Sequence, residues 1–433
     1  MSEVKLLPKQ VLKQERNRCP GGTDLVHSLR SVQRSRWRKT SLRKMEFELM
    51  QNHTSRTPRA RFSDVLRSVA GLALLAGAGP LLAVPVVSGV SGALDHKAAI
   101  TISGSGFGTK ATAAPLVWDD ATGSNLLSTW DGAWPNLVPG YNTSYFDPIR
   151  GIAPPHSHDS RYIAGAHATN QGAYSGYDVM VFKNITLQPF PFYIYASWYQ
   201  RADNDWKFGG DNNFKTFDYS AANEPYAQSN WYVCYGPPHP GSTSDSATQW
   251  AINDDGKSLM IPTDAAGSSN WWGMAVDPMG GKWSKVETAI KVTDQLDGYV
   301  MVWENGHKVM NYQGPTDRYS GDRRSIAIGG YARVEVPSNW RYYADAYIDT
   351  SLQRVVLANK PVLTQATIIE NQIPSTWSDG SISATVNLGQ FNQGETAYLF
   401  VVDATGTPSA KGLAVTAGGP AAPRPPSAVV VRP

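Results

Sequence analysis

The stretch FYIYASWYQRADNDWKFGGDNNFKTFDYS, from Phe192 to Ser220, decides the fold. Two aromatic-rich runs flank a polar loop with two glycines, which predicts two strands joined by a long connection. In the first run apolar and aromatic-polar side chains alternate with a period of two, so they occupy opposite faces of a strand. The apolar face carries Phe192, Ile194, Ala196 and Trp198, and the aromatic-polar face carries Tyr193, Tyr195, Ser197, Tyr199 and Arg201.

The aromatic-polar face has two interpretations. A row of tyrosines that ends in Arg201, with Lys215 in the second run, suits a sheet that holds a sugar chain. Tyrosine is also a good strand former that half-buries against its neighbours, so ordinary packing explains the same pattern. Both interpretations stay open. The candidate substrate-binding residues are Tyr195, Tyr199, Arg201, Lys215, Tyr331 and Tyr343.

The chain after residue 90 repeats the same short pattern. β-rich runs are broken by Gly, Pro, Asn and Asp, and no long helical period occurs. Asn305-Gly306 follows an alternating run, as a hairpin turn would. We therefore expect an all-β protein of sandwich type. Twelve of the fourteen tryptophans lie between Trp118 and Trp340, which indicates one aromatic-rich domain.

Positive charge is concentrated at the beginning of the 433-residue chain. Residues 1–67 hold 16 of the 39 Lys+Arg but only 6 of the 36 Asp+Glu. The remainder is acidic, so we predict no nucleic-acid partner.

Four arginines between positions 56 and 67 precede an apolar run, Val69 to Val84, with the small residue Ala83 near its end. This order is typical of a secretory signal peptide. We expect a doubtful or disordered leader over 1–49 and a signal peptide over 50–83. The mature protein would be secreted or held at the cell surface, extracellular or periplasmic, with no membrane partner after cleavage. An uncleaved anchor is the alternative.

Histidines cluster in PPHSHDSRYIAGAH, from Pro154 to His167. β-Elimination of a polyuronate needs a cation for the carboxylate, a base for the C5 proton and an acid for the leaving oxygen. His156 or His158 as the base and Arg161 as the clamp would suit that chemistry. The simpler interpretation is a polar loop whose histidines make local hydrogen bonds. Asp159 beside the two histidines resembles half of a metal site, but no further ligand stands at a defined spacing, so we predict no metal ligands.

Glu287 alternates with Lys285 and Lys291 in a predicted strand. It is the best-placed strand glutamate and a candidate catalytic acid or base, although an ion pair on a solvent face explains it more simply.

Further along, the alternation predicts a second polar-aromatic face made of Tyr343, Asp345, Tyr347 and Asp349. Oxygen-rich loops leave room for one structural calcium, and no other cofactor is predicted. Those loops contain Asp203, Asp205, Asp211 and the run Asn253 to Gly256.

Three stretches resemble immunoglobulin-like domains of the IPT/TIG type. AITISGSGFGTK, Ala99 to Lys110, resembles their second strand, and WSDGSISATV and TAYLFVVDATG resemble later strands. The resemblance implies a small sandwich split in sequence, over 97–116 and 359–418, with a large domain inserted in its loop, as exposed loops allow. Residues 419–433 would be a Pro-rich linker or tail.

The region 117–358 resembles concanavalin A-like jelly rolls, and more narrowly the polysaccharide-lyase-like domains of exported bacterial proteins. The resemblance lies in KWSKVETAIKV, DGYVMVWENG and NWRYYADAYIDTSLQRVVLAN. It implies two antiparallel sheets, the concave one holding a polysaccharide. The E-x-D-x-x-E strand of laminarinase-like glucanases is missing, as are the QIH and Y-x-K-x-G-x-Y motifs of alginate lyases. The resemblance therefore implies a fold but no catalytic set.

Together these features predict an exported protein that binds polysaccharide, with lyase activity on an acidic polysaccharide left open. The alternative is a non-catalytic structural or adhesive protein of the cell surface. The residues on the concave face would distinguish between these functions. A groove with a reachable histidine would favour a lyase, aromatics without a base would favour binding alone, and a filled groove would favour a structural role.

Overall fold

The computed structural model describes residues 83–136, 140, 142–149, 151–167, 179–186, 188–204, 214–220, 229–236, 247–254, 257–260, 271–272, 281–317, 323–330 and 339–419. The side chains of 214–215, 229–236, 247–254, 257–260, 271–272, 309–310, 323 and 339 are not described. The predicted signal peptide and Pro-rich tail therefore lie outside the described residues, apart from Ala83 at the end of the first and Gly419 at the start of the second.

Strands account for nearly all regular structure in the described ranges, and two single 3-10 turns occur at Leu126–Ser128 and Leu363–Gln365. The predicted all-β sandwich class is confirmed. The strands are β1 Val86–Ser91, β2 Ala99–Ser105, β3 Val117–Asp119, β4 Gly132–Trp134, β5 Ser144–Phe146, β6 Tyr162–His167, β7 Val179–Thr186, β8 Phe192–Ala202, β9 Phe214–Ser220, β10 Ser229–Gly236, β11 Ala247–Asp254, β12 Lys257–Met260, β13 Trp271–Trp272, β14 Ser284–Val292, β15 Tyr299–Glu304, β16 His307–Gln313, β17 Arg323–Gly330, β18 Asn339–Asp349, β19 Arg354–Ala358, β20 Ile369–Trp377, β21 Ser381–Thr385, β22 Thr396–Val402 and β23 Leu413–Thr416.

The large sandwich consists of two antiparallel sheets. The front sheet has the order β16-β15-β14-β8-β18-β6-β5, with β3 beside β18, and the back sheet has the order β12-β11-β10-β9-β17-β7-β4, with β13 beside β11. The apolar face of β8 points between them, where Trp198 stacks on Phe217 of the back sheet at 5.4 Å. Burial of such aromatic side chains away from water is the main force that holds the sheets together.

The small sandwich is one path of seven strands, β1-β2-β21-β20-β19-β22-β23. β20 pairs with β19 through its first half and with β21 through its second half, so the chain passes between the two layers there. Ile100 and Ile102 of β2 share a buried core with Leu357, Leu399 and Val401. Strands that precede and follow the large sandwich in sequence therefore form one core.

Two strands of the small sandwich lie outside the ranges expected for it. β1 precedes residue 97, and β19 lies in the stretch predicted to close the large domain. The alternation of Val355 and Leu357 predicts a strand with one buried face, but it does not tell which sheet that strand joins.

A bulge at Asp345 reverses the side-chain alternation of β18. The register with β8 shifts between Ala344 and Tyr347, and Asp345 has a positive φ of 47°. Tyr343 consequently lies in the core between the two sheets, where its hydroxyl donates to the Val179 carbonyl at 3.0 Å. The prediction that Tyr343 shares a face with Tyr347 is therefore wrong, because one extra residue in a strand exchanges its faces.

No helix within the described ranges has the length and apolar character needed to cross a bilayer.

Candidate functional site

The small sandwich packs against the outer face of the front sheet at β8 and β14. Tyr195 and Tyr199 of β8 are completely buried. The Tyr199 hydroxyl donates to the carboxylate of Glu370 in β20, and the Asn371 amide donates to the Ser197 hydroxyl at 2.7 Å. The aromatic-polar face predicted from the sequence thus serves largely as the contact between the two sandwiches.

Buried ionic groups hold this contact together. The Lys285 ammonium donates to Glu370 and to the Ile369 carbonyl, and it lies 4.9 Å from the ring centroid of Tyr199. Burial, and then the charge of Glu370, hold the pKa of Tyr199 well above its ordinary value. Glu287 accepts a hydrogen bond from the Tyr195 hydroxyl at 2.5 Å. Lys285 and Glu287 are both buried, so neither stands on a solvent face.

A cavity of about 360 Å³ remains where β14 meets the β15–β16 hairpin and two loops of the small sandwich. His307 and Thr367 are exposed at its mouth. The Trp283 ring is fixed by a hydrogen bond from its Nε1 to the Ala153 carbonyl at 2.9 Å. The cavity is lined by Tyr199, Trp283, Lys285, Glu287, Asn305, Gly306, His307, Thr367, Ile368, Ile369 and Gln390.

The chemistry of this cavity is that of a polar site with one aromatic plane. Trp283 is half-buried and offers a ring face, while Glu287 and Gln390 offer a carboxylate and an amide. The Lys285 ammonium and the Tyr199 hydroxyl are already engaged by Glu370. The cavity thus offers more groups that can hydrogen-bond to a ligand than groups that can take a proton from it.

A second cluster surrounds His156 in the loop before β6. Its Nε2 lies 2.9 Å from Oδ2 of Asp345 and 3.2 Å from Oδ2 of Asp159. All three side chains are only 3% exposed. Burial, and then the charge of Asp345, raise the pKa of Asp159 to about 8. Burial alone would lower the pKa of His156, but its hydrogen bond to Asp345 and the charges of both aspartates raise it.

His158 joins this loop to the small sandwich. Its Nε2 donates to the Phe391 carbonyl at 2.9 Å, and its ring stacks on that of His96 at 4.8 Å. Burial, and then the charge of His158, lower the pKa of His96 to about 4. His96 keeps a neutral Nδ1, which accepts the backbone N–H of Leu388 at 3.3 Å.

Of the four predicted catalytic residues, only Glu287 lines the cavity. His156 and His158 have the contacts described above. Arg161 donates to the carbonyls of Gly123 and Tyr145, at 3.0 and 3.3 Å. The structure therefore does not bring the predicted set together.

The predicted substrate-binding residues are also separated. Tyr195 and Tyr199 lie in the contact between the sandwiches, and Tyr343 lies in the core. Arg201 donates to Oδ1 of Asn204 at 2.7 Å. The Lys215 side chain and Tyr331 lie outside the described residues.

Sequence reasoning missed Trp283, His307, Glu370 and Gln390. Trp283 lies two residues before the predicted strand that contains Lys285 and Glu287, and His307 directly follows the predicted Asn305-Gly306 turn. Glu370 opens the run Glu-Asn-Gln in β20, and three successive polar residues in a strand break the alternation of a half-buried face. That break was the available signal. No comparable signal marks Gln390.

The predicted calcium loops are only partly described. Asp203 accepts hydrogen bonds from the Tyr342 hydroxyl at 2.5 Å and from the Trp340 backbone N–H at 3.0 Å. Asp205, Asp211 and residues 255–256 lie outside the described residues. A structural calcium there stays a prediction.

No protein-family model matches the chain. No curated protein matches it either. Solved structures similar to it include an endo-β-1,4-glucuronan lyase from the fungus Trichoderma reesei, with 13% identity over 56% of this chain and 97% of that one and a TM-score of 0.39. The alginate lyase Aly36B has 12% identity over 61% and 98%, with a TM-score of 0.34. The exolytic alginate lyase AlyA5 from Zobellia galactanivorans has 10% identity over 48% and 87%, with a TM-score of 0.30. These likenesses are too distant to carry an argument about activity.

Proposed function

We propose that this protein binds a polysaccharide, with one sugar unit in the cavity between the front sheet and the small sandwich. The observation that carries the proposal is the fixed ring of Trp283 beside the amide of Gln390 and the carboxylate of Glu287. An aromatic face packs against the C–H face of a sugar ring, while amides and carboxylates bind its hydroxyls. Because the Trp283 ring is already held by Ala153, little entropy is lost on binding.

The same groups favour binding over cleavage. Tyr199 is a poor base because its pKa is held well above the ordinary value, and the Lys285 ammonium is neutralised by Glu370. His307 is the imidazole at the cavity mouth within the described residues. If the ligand is an acidic polysaccharide and the protein is a lyase, His307 would be the group that takes the C5 proton.

A structural or adhesive role is the second candidate, since the small sandwich occupies the middle of the face that would otherwise hold a chain. In that role the buried contact would make the two sandwiches one stiff unit.

Measurements of binding and of lysis on a panel of glycans distinguish between these functions. The purified protein would be tested for retention on immobilised neutral glycans and polyuronates, while the absorbance of unsaturated uronate products is followed in solution. Retention without absorbance supports binding, and absorbance that disappears in His307→Gln supports lysis. No retention on any glycan would overturn the carbohydrate proposal and leave the structural role.

We further propose that the protein is exported, on the pattern of residues 50–83. N-terminal sequencing of protein recovered outside the cell tests this. A mature chain that begins at Met1 would contradict it.

A further inference from the structure

The cluster around His156 brings three atoms of metal-ligating type to one point. Nε2 of His156 lies 2.9 Å from one aspartate oxygen and 3.2 Å from another, and the ligand atoms of all three residues lie within 4.8 Å of one another. In a tetrahedral zinc site each N or O ligand lies about 2.0–2.1 Å from the metal, so ligand atoms lie about 3.3 Å apart. The two distances from Nε2 are close to the edge length of that tetrahedron.

Hydrogen bonding alone does not account for this arrangement. One Nε2–H can point at only one oxygen, and it is directed at Asp345. Oδ2 of Asp159, one of the three converging atoms, is buried and has no hydrogen-bond partner among the described residues. The Asp159 side chain is only 3% exposed. Buried polar atoms are ordinarily satisfied, and unsatisfied ones point to an absent partner such as an ion.

The charges of the cluster also lack compensation. Once both carboxylates are ionised, they outweigh one imidazole even when the imidazole is protonated. In the described part of the chain, neither Asp159 nor Asp345 forms an ion pair with a lysine or arginine. The nearest carboxylates outside the cluster, Asp120 and Glu370, add negative charge, and their lysine partners are already paired with them. Ionising both aspartates here is costly unless a cation neutralises them, so this point must hold either a proton or a metal ion.

The ligands are held in place by the backbone. The bulge at Asp345, with its positive φ of 47°, turns that carboxylate toward the His156 loop. The Asn387 amide of the small sandwich contacts Oδ2 of Asp345 at 3.3 Å. Hydrogen bonds to ligand carboxylates orient them for metal binding. Asp345 is the further ligand that the sequence pattern of the His156 loop lacked.

We propose that His156, Asp159 and Asp345 bind one divalent zinc-type ion, which fastens the Pro154–Ser160 loop to β18 beside the small sandwich. Zn²⁺ takes both imidazole nitrogen and carboxylate oxygen as ligands. Ca²⁺ needs six to eight oxygen ligands, more than the cluster supplies. The site is separate from carbohydrate binding in the cavity, so either proposal can fail alone.

The test compares zinc with calcium on the full chain. Protein stripped with EDTA is equilibrated with ZnCl₂ or CaCl₂. The melting temperature is measured with the metal present, and the metal content is measured after dialysis. We expect zinc to raise the melting temperature by about 3 °C or more when it is in large excess over its Kd. Calcium should leave the melting temperature unchanged.

Two conservative variants locate the ion. Asp159→Asn keeps the shape of the side chain, and Asp345→Asn keeps a residue that tolerates positive φ. Each should hold one zinc fewer than the wild type, and its melting temperature should be the same with zinc as in its own metal-stripped form. Asp297→Asn, on a 68% exposed side chain, should retain the zinc. Equal zinc content in the wild type and both cluster variants, or an equal rise with calcium, would overturn the proposal.

Discussion

The hydroxyl of Tyr199 donates a hydrogen bond to the carboxylate of Glu370, which joins the two sandwiches across 171 positions of the chain. Glu370 also pairs with Lys285 and accepts the backbone N–H of Gln390 at 3.1 Å. Its side chain is fully buried. One carboxylate thus connects the outer face of the front sheet, the cavity floor and a loop of the small sandwich.

Glu370→Gln should strongly destabilise the protein. The substitution leaves the Lys285 ammonium buried without its counter-ion, and breaking a buried pair from one side lowers the free energy of unfolding by about 3–5 kcal/mol. Urea unfolding measures the difference. Asp297→Asn removes the exposed partner of Lys291 and should change stability by less than about 1 kcal/mol. Similar small effects in both variants would show that the Glu370 pair does not hold the interface.

Gly389→Ala should also destabilise the contact between the sandwiches. Gly389 has a φ of +51°, and an added Cβ would overlap the Glu370 side chain, which three partners hold in place. Gly394 provides the matched control, because its φ is +85° but a Cβ there meets nothing within 4 Å. Gly394→Ala should cost only the backbone strain of about 1–2 kcal/mol, and Gly389→Ala clearly more. Equal melting temperatures for the two variants would contradict this account of Glu370.

The sequence predicts the individual strands of this protein better than it predicts how the two sandwiches pack together. The alternation around Ile194 and Trp198 predicts the buried face of β8 correctly, because burial follows side-chain period. The same alternation cannot tell what covers the opposite face. Tyr199 is buried by Glu370, and that contact depends on how two distant segments pack.

The errors at the candidate site have a similar origin. The bulge at Asp345 inserts a single residue, and nothing in the run Tyr-Tyr-Ala-Asp-Ala-Tyr marks its place. That residue moves Tyr343 into the core and places Asp345 beside His156. The wrong strand register in the prediction therefore also gave wrong residues for the site.

Stability should fall as the pH drops from about 6.5 to 4, in part because of His96. Its pKa is lowered to about 4 in the folded protein, so the unfolded chain takes up a proton at a higher pH than the folded one. The contribution of the neutral ring is complete above pH 6.5 and is lost as the pH falls toward 4. His96→Asn keeps an acceptor for the Leu388 N–H and does not titrate.

Melting temperatures at pH 7 and pH 4.5 measure this effect. His96→Asn should lose less stability than the wild type over that interval. His307→Asn, on an exposed histidine, should behave as the wild type does. If His96→Asn and the wild type fall in parallel, protonation of His96 does not limit stability.

Trp283→Ala should weaken polysaccharide binding by about tenfold, or about 1.4 kcal/mol, through loss of the aromatic plane. Affinity electrophoresis or calorimetry with the glycan identified by the panel measures the change. Trp303→Ala removes another half-buried tryptophan of the front sheet that does not line the cavity, so it should leave affinity near the wild-type value. An equal loss in both variants would place the ligand elsewhere.

Because the small sandwich is built from two segments that are distant in sequence, we expect the two sandwiches to fold in a fixed order. Gly108 contacts Asp379 across 271 residues, and closing a flexible loop of that length costs about 5 kcal/mol. Pairing of Val117 with Ile348 brings the two ends of the large sandwich side by side, which leaves a loop of roughly 40 residues and a cost of about 3 kcal/mol. The large sandwich should therefore fold first, and the small sandwich should close only around a neighbour that is already folded. Formation of the small sandwich would then show that the large sandwich has already folded correctly.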